Sequence, residues 1–106
     1  MKNKKISILG STGSIGKNVL KVAAGFPERF TVVGLTAGWN IDLLREQVEA
    51  FSPLMVSVAE EKTVEKFKKL LPASCRTEIV WGPEGNKQVA SLKDADMVVS
   101  AIVGAA

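Results

Sequence analysis

The sequence predicts an α/β fold, a doubly wound and mostly parallel sheet with helices on both faces. Short continuous apolar runs alternate with one-sided helical patterns, in the order βαβαβαβαβ. Strands buried on both faces of a parallel sheet have this continuous apolar character. The chain has 106 residues, of which 46% are hydrophobic. That length and composition suit a single globular domain with one core.

The first half of the chain has the clearest element boundaries. A strand is predicted over residues 5–10, a helix over 14–26 that ends before Pro27, and a second strand over 30–36. Asn40 is placed to cap the second helix. The inward face of the first helix is predicted from its 3.6-residue period to be Ile15, Val19, Val22, Ala23 and Phe26. The inward face of the second is predicted to be Ile41, Leu44, Val48 and Phe51.

The second half continues the alternation. Strands are predicted over 54–58, 77–81 and 96–103, with helices over 60–71 and 83–92. Crossovers between parallel strands are right-handed. Doubly wound sheets bind their ligands beyond the carboxyl ends of the strands, where the strand order reverses. The strand-to-helix turns are therefore the place to look for function.

Missing residue types exclude several kinds of active site. The sequence has no His, which excludes a Ser-His-Asp or Cys-His centre and a His-ligated metal. It has no Tyr, which excludes the Tyr/Lys acid of short-chain dehydrogenases. Cys75 is the only cysteine, so the chain forms no internal disulfide, and a single unpaired thiol fits a reducing compartment.

The charge distribution predicts neither a nucleic-acid nor a membrane partner. The net charge of +3 comes from Lys2, Lys4 and Lys5, and the rest of the chain is balanced. A short basic terminus is not a basic face. The longest uncharged run has 12 residues, 30–41, which is too short to span a bilayer. The residues after the lysines show no signal-peptide pattern.

The turn after the first strand carries the strongest functional motif. Its sequence is Gly10-Ser11-Thr12-Gly13-Ser14-Ile15-Gly16, with glycines spaced G-x-x-G-x-x-G. The first glycine allows a tight turn, the second lets a pyrophosphate approach the backbone, and the third allows close helix packing. The helix N-terminus and the hydroxyls of Ser11, Thr12 and Ser14 suit an anionic phosphate. The turn predicts dinucleotide binding in a Rossmann-like fold, and the alternative is a tight turn without a ligand.

A nucleoside-triphosphate P-loop is excluded at the same turn. Gly16-Lys17 resembles the end of G-x-x-x-x-G-K-[ST], but position 11 is Ser rather than Gly. Position 18 is Asn, so the hydroxyl that binds magnesium would be absent.

The end of the second strand favours NADP over NAD. An acid at this place binds the ribose of NAD, whereas Thr36-Ala37-Gly38-Trp39-Asn40 contains no acid and no cation. Trp39 is suited to stack on adenine, and Asn40 to donate to a ribose or phosphate. The alternatives are that Asn40 is only a helix cap and that Trp39 is a packed or surface aromatic.

Three segments together resemble one family. Residues 10–16, 37–40 and 100–106 are similar to the N-terminal part of the 1-deoxy-D-xylulose 5-phosphate reductoisomerase family, as are 46–53 and 76–78. The resemblance implies an NADPH-dependent enzyme of non-mevalonate isoprenoid biosynthesis that converts 1-deoxy-D-xylulose 5-phosphate to 2-C-methyl-D-erythritol 4-phosphate. It further implies a divalent metal, magnesium or manganese, a homodimer and, in bacteria, a cytoplasmic location.

The resemblance also assigns the site residue by residue. It implies that Thr12, Gly13, Ser14 and Ile15 hold the pyrophosphate, that Gly38, Trp39 and Asn40 surround the adenosine 2′-phosphate, and that Ala101, Ile102 and Val103 border the nicotinamide. Trp39 departs from the family pattern, in which a Lys or Arg is usual. Lys17 or Arg45 is a possible replacement for that charge.

We therefore interpret residues 1–106 as the cofactor domain of a longer enzyme. No catalytic residue and no metal ligand is assigned within it, so the chain alone is expected to be inactive, and its partners are the dinucleotide and the rest of the enzyme. The alternative is a stand-alone dinucleotide-binding or sensory module without catalysis. Asp94 and Asp96 are interpreted as a connector rather than a metal site, and the lysines at 62, 66, 68 and 69 as a solvated helix face.

Overall fold

A computed structural model describes residues 3–102. Over this range five strands and four helices alternate, as the sequence predicts. The strands are β1 (Lys4–Leu9), β2 (Phe30–Thr36), β3 (Met55–Val58), β4 (Glu78–Trp81) and β5 (Met97–Ser100). The helices are α1 (Ser14–Gly25), α2 (Ile41–Phe51), α3 (Glu61–Leu70) and α4 (Gly82–Ala90). None of these helices is long and apolar enough to cross a membrane.

The five strands form one parallel sheet in the order β4-β3-β2-β1-β5. The chain moves outward from β1 to β4 and then returns to the other side of β1 as β5. The strand order therefore reverses between β1 and β5, and the carboxyl ends of these two strands flank the crevice where such sheets bind ligands. The predicted fold class is confirmed.

The main core lies between the sheet and α1, α2 and α3. Its fully buried members include Ile8, Leu35, Leu44, Val56 and Phe67, which come from two helices and three strands. Apolar side chains on the inner face of each strand alternate with residues on the opposite face. This packing anchors the helices whose N-termini lie at the carboxyl edge of the sheet.

The opposite face of the sheet carries very small residues beneath α4. The register between β1 and β2 skips one residue, so that Ser7 pairs with Gly34. A methyl group added to Gly34 would lie 2.6 Å from Ser7 Oγ and 2.9 Å from Val89 Cγ1 of α4. The hydroxyls of Ser7 and Ser57 are buried there without a hydrogen-bond partner among residues 3–102. These small side chains let α4 lie close to the sheet, so helices cover both faces.

The predicted inward face of α1 is partly wrong. The buried residues are Gly16, Leu20 and Ala23, whereas Ile15, Val22 and Phe26 are each about half exposed. Phe26 lies outside the helix, which ends at Gly25. Gly16 lies close to the preceding turn, as described below, and this side of the helix faces inward. Val19 is partly buried and packs against the core, as predicted. Val22 borders a hollow of about 190 Å³ beside Met97 and Val99 of β5.

The last predicted strand is longer than the observed one. It was predicted over 96–103, and β5 ends at Ser100. Residues 101 and 102 continue as non-regular chain. Val103, which the family resemblance places at the nicotinamide, lies outside the described residues.

Candidate functional site

The glycine turn is held against the end of β2. Gly10 has a φ of +84°, a conformation that favours glycine. Its N–H donates to the Thr36 carbonyl oxygen at 3.0 Å and to Thr36 Oγ1 at 2.9 Å. The N–H of Ser11 donates to the same carbonyl at 2.8 Å. The turn therefore has a defined shape before any ligand arrives.

Gly16 brings the first turn of α1 directly onto this loop. A methyl group at Gly16 would collide with the Gly10 carbonyl oxygen and would lie 2.7 Å from Ser11 Cα. The motif predicts that this glycine allows close helix packing, and its close neighbour is the turn itself.

The N-terminus of α1 is open. Its cap residue is Gly13, which makes no side-chain cap, and no acid lies in the first turn. Gly13 and Ser14 are exposed, and a methyl group at Gly13 would meet only the Gly10 carbonyl oxygen, at 3.8 Å. The first N–H groups of a helix have no partner within the helix, and the helix dipole adds positive potential. This end of α1 therefore suits a phosphate.

Ser11 does not have the role predicted for its hydroxyl. The residue is fully buried, and Oγ donates to Gln47 Oε1 at 2.7 Å. Gln47 Nε2 donates back to the Ser11 carbonyl oxygen at 2.9 Å. The hydroxyl points into the protein and supports the turn from behind, which leaves Thr12 and Ser14 as the hydroxyls near the helix end.

Gln47 was missed by the sequence analysis. It lies in α2 between Leu44 and Val48, both inward-facing, and is itself buried. A glutamine on an otherwise apolar helix face was the available signal, because buried amides are nearly always hydrogen-bonded. Its partner could not be identified from spacing alone.

The end of β2 leads into an exposed corner. Gly38, Trp39 and Asn40 are exposed, and Trp39 is 69% accessible, so its ring is free to meet a ligand. Asn40 Oδ1 accepts a hydrogen bond from the N–H of Leu43 at 3.2 Å, which confirms its capping role. The amide nitrogen of Asn40 is left to donate, so capping does not exclude ligand binding.

The chain after β5 returns to the glycine turn. Ala101 is buried, and its N–H donates to the Leu9 carbonyl oxygen at 2.7 Å. Ile102 is exposed, and its Cγ1 would lie 3.1 Å from a methyl group placed on Gly10. The structure thus brings residues 10–16 and 101–102 together at the β1–β5 crevice, with 38–40 beyond the neighbouring strand.

The two proposed replacement cations have other recorded neighbours. Arg45 Nη1 is 3.0 Å from Glu49 Oε2, in a pair on the surface of α2. Lys17 borders the groove between α1 and α2 with Leu43 and Glu46. Neither residue lines the hollow that Trp39 borders.

The predicted connector at Asp96 is confirmed. Its Oδ2 accepts from the N–H of Lys5 at 2.9 Å, and its own N–H donates to the Lys5 carbonyl oxygen at 2.7 Å. These bonds start the pairing of β5 with β1. Within residues 3–102, no three His, Cys, Asp or Glu side chains are grouped so that they could hold a metal ion.

Comparison with known proteins decides the family. The family model described as 1-deoxy-D-xylulose 5-phosphate reductoisomerase matches residues 6–106. The chain belongs to this family. The resemblance found in the sequence is therefore confirmed.

Curated reductoisomerases are about half identical to this chain. The protein from Geotalea daltonii is 50% identical over 104 residues, which cover 97% of this chain and 27% of the relative. The protein from Geotalea uraniireducens is 50% identical over 103 residues, 97% of this chain and 26% of the relative. The chain thus spans about a quarter of the length of these reductoisomerases.

Solved reductoisomerase structures share the fold. A crystal structure of DOX-P reductoisomerase in complex with NADPH, fosmidomycin and magnesium has a TM-score of 0.86 at 31% identity, covering 93% of this chain and 24% of that one. The Zymomonas mobilis reductoisomerase in complex with NADPH has a TM-score of 0.87 at 26% identity. The match covers 95% of this chain and 26% of that one.

Proposed function

We propose that residues 1–106 are the NADPH-binding domain of a reductoisomerase. The longer enzyme would convert 1-deoxy-D-xylulose 5-phosphate to 2-C-methyl-D-erythritol 4-phosphate in non-mevalonate isoprenoid biosynthesis. The observation that carries the proposal is the open N-terminus of α1 at the β1–β5 crevice. Family membership and the NADPH bound in two related structures support the choice of cofactor.

The pyrophosphate would lie on the turn between Gly10 and Gly16. Thr12, Gly13, Ser14 and Ile15 would hold it through backbone N–H groups and two hydroxyls. The space above Gly13 supports this placement, since only one backbone oxygen lies within 4 Å of an added methyl group there. Ser11 would act from beneath, through its bonds to Gln47.

The two ends of the cofactor would lie on opposite sides of that turn. Gly38, Trp39 and Asn40 would surround the adenosine 2′-phosphate, with the exposed Trp39 ring against the adenine. Ala101, Ile102 and Val103 would border the nicotinamide. The proximity of Ile102 to Gly10, where an added methyl group would lie 3.1 Å from Ile102 Cγ1, supports one continuous binding surface along the carboxyl edge of β5, β1 and β2.

This chain would bind and orient the cofactor. NADPH supplies a hydride when bound, and the residues described here offer positioning, a helix dipole and an apolar edge. They do not fit the magnesium of the related structures, because the described part of the chain contains no cluster of metal-binding side chains. We propose that the metal and the substrate are held by the remainder of a longer cytoplasmic enzyme, a homodimer that acts without nucleic-acid or membrane partners.

Titration of this chain with NADPH tests the proposal. We expect saturable quenching of tryptophan fluorescence, together with no turnover of 1-deoxy-D-xylulose 5-phosphate by the purified chain. The Gly13→Val variant is the matched control, because it closes the space above the turn. Absence of NADPH binding at millimolar concentrations would refute the cofactor role. Measurable turnover would refute the proposal that this chain binds the cofactor without catalysing the reaction.

A further inference from the structure

A charged hollow lies beside Trp39. It has a volume of about 470 Å³ and runs between the start of α2 and one side of α3. Trp39 borders it, and so do two lysines of α3, Lys62 and Lys66. The two lysines are four residues apart, which places them on the same helix face. Two cations thus share a hollow with the exposed aromatic residue of the β2–α2 corner.

Both lysines are available to a ligand. Lys62 Nζ is 4.0 Å from Glu60 Oε1, and its side chain is 87% exposed, so this pair is weak. Lys66 has no carboxylate within 4.0 Å among residues 3–102. By contrast, Lys68 Nζ is 3.8 Å from Glu65 Oε1, and Lys69 does not border the hollow.

The hollow also contains two acids, so its two lysines and two carboxylates balance in formal charge. Asp42 lies in the first turn of α2 and Glu60 precedes α3, and both border the hollow. A phosphate at this corner would be repelled by these carboxylates unless cations were present. Position 39 supplies no charge, and neither Arg45 nor Lys17 lines the hollow. Among the residues that line the hollow, the lysines of α3 are therefore the ones that offer positive charge to a phosphate.

We propose that Lys62 and Lys66 together supply the positive charge that selects the adenosine 2′-phosphate of NADPH, in place of a cation at position 39. The inference rests on the proposed function. Trp39 then contributes the stacking surface for adenine, and the long flexible lysine side chains reach the phosphate from α3. Discrimination between NADPH and NADH is thus shared between the β2–α2 corner and the next helix along the chain.

The test compares NADPH and NADH binding in the native chain and in Lys62→Gln/Lys66→Gln. Loss of two charge-assisted contacts should weaken NADPH binding about tenfold or more at low salt. NADH lacks the 2′-phosphate, so its dissociation constant should change by less than about twofold. The matched control is Lys69→Gln, which removes a charge from the same helix outside the hollow. It should change both constants by less than about twofold.

The outcomes separate this inference from the proposed function. If the native chain prefers NADPH and the double variant keeps the same preference, the lysines are not the selecting charge. An equal loss of affinity for both cofactors, or an equal loss in Lys69→Gln, would also overturn the inference. If the native chain binds neither cofactor, the proposed function is refuted, and the inference that rests on it is refuted as well.

Discussion

Ser11 and Gln47 hydrogen-bond each other twice, although they are 36 residues apart. Ser11 Oγ donates to Gln47 Oε1 at 2.7 Å, and Gln47 Nε2 donates to the Ser11 carbonyl oxygen at 2.9 Å, both in the protein interior. The pair joins the glycine turn to the middle of α2, the helix that Asn40 caps. This buried contact therefore links the proposed pyrophosphate and adenosine ends of the site, in addition to the bonds between the turn and Thr36.

Replacing Gln47 with Ala should destabilise the fold. It leaves the Ser11 hydroxyl and carbonyl buried without partners, and we expect a loss of about 2 to 4 kcal/mol in the free energy of unfolding. Urea denaturation measures it. Glu46→Ala, one position earlier and exposed, is the control and should change stability by less than about 0.5 kcal/mol. An equally small effect for Gln47→Ala would show that the hydrogen bonds between Ser11 and Gln47 contribute little to stability.

Substitutions at Gly13 and Gly16 should have different effects, one on cofactor affinity and the other on the stability of the fold. Gly13 has a φ of −82° and open space at its Cα. Gly13→Val should therefore keep the fold and weaken NADPH binding at least tenfold, about 1.4 kcal/mol or more, by filling the pyrophosphate space.

Gly16→Ala should behave in the opposite way. Its added methyl group would lie 2.7 Å from Ser11 Cα, so the helix and turn must separate. We expect a loss of stability of about 1 to 3 kcal/mol. Thermal melting of both variants, with NADPH titration of each, makes the comparison. Unchanged NADPH affinity in Gly13→Val would remove the pyrophosphate assignment.

Trp39→Arg should strengthen the preference for NADPH over NADH. Trp39 is 69% exposed, and an arginine there can form charge-assisted hydrogen bonds with the 2′-phosphate. The gain should shrink at high salt, because exposed charges are screened. In the Lys62→Gln/Lys66→Gln background, the same substitution should restore most of the lost NADPH affinity. Competition titrations with both cofactors measure these changes. If the native chain binds NADH as tightly as NADPH, residues 38–40 do not form a 2′-phosphate site.

The packing of α4 gives a prediction that does not involve the cofactor. Gly34→Ala places a methyl group 2.6 Å from Ser7 Oγ and 2.9 Å from Val89 Cγ1. Such overpacking should cost about 1 to 3 kcal/mol of stability. Ser57→Ala removes a buried hydroxyl that has no partner in the described part of the chain, and should be neutral within about 0.5 kcal/mol or stabilising. Urea denaturation of both variants checks the pair. Equal destabilisation would mean that the Ser57 hydroxyl has an acceptor.

The order of elements and the position of the glycine turn were predictable because they depend on local patterns. Apolar runs, a 3.6-residue period and helix-ending prolines are patterns within a few neighbouring residues. The Asn40 cap is equally local, because its hydrogen bond joins residues only three positions apart. The turn motif was recognisable for the same reason. The role of Ser11 was not predictable, because a serine in a phosphate-binding motif looks the same whether its hydroxyl points outward or into the core.

The sequence by itself determined which elements form, which turn carries the glycines and which family the chain resembles. Only the tertiary structure decided how α1 is rotated, with Gly16 close to Ser11 and with Ile15 and Val22 about half exposed. It also decided that Ser11 bonds to Gln47, and that Lys62 and Lys66, rather than Lys17 or Arg45, share a hollow with Trp39. These relationships join residues up to 36 positions apart, and no local period encodes which distant side chains the packed sheet and helices will bring into contact.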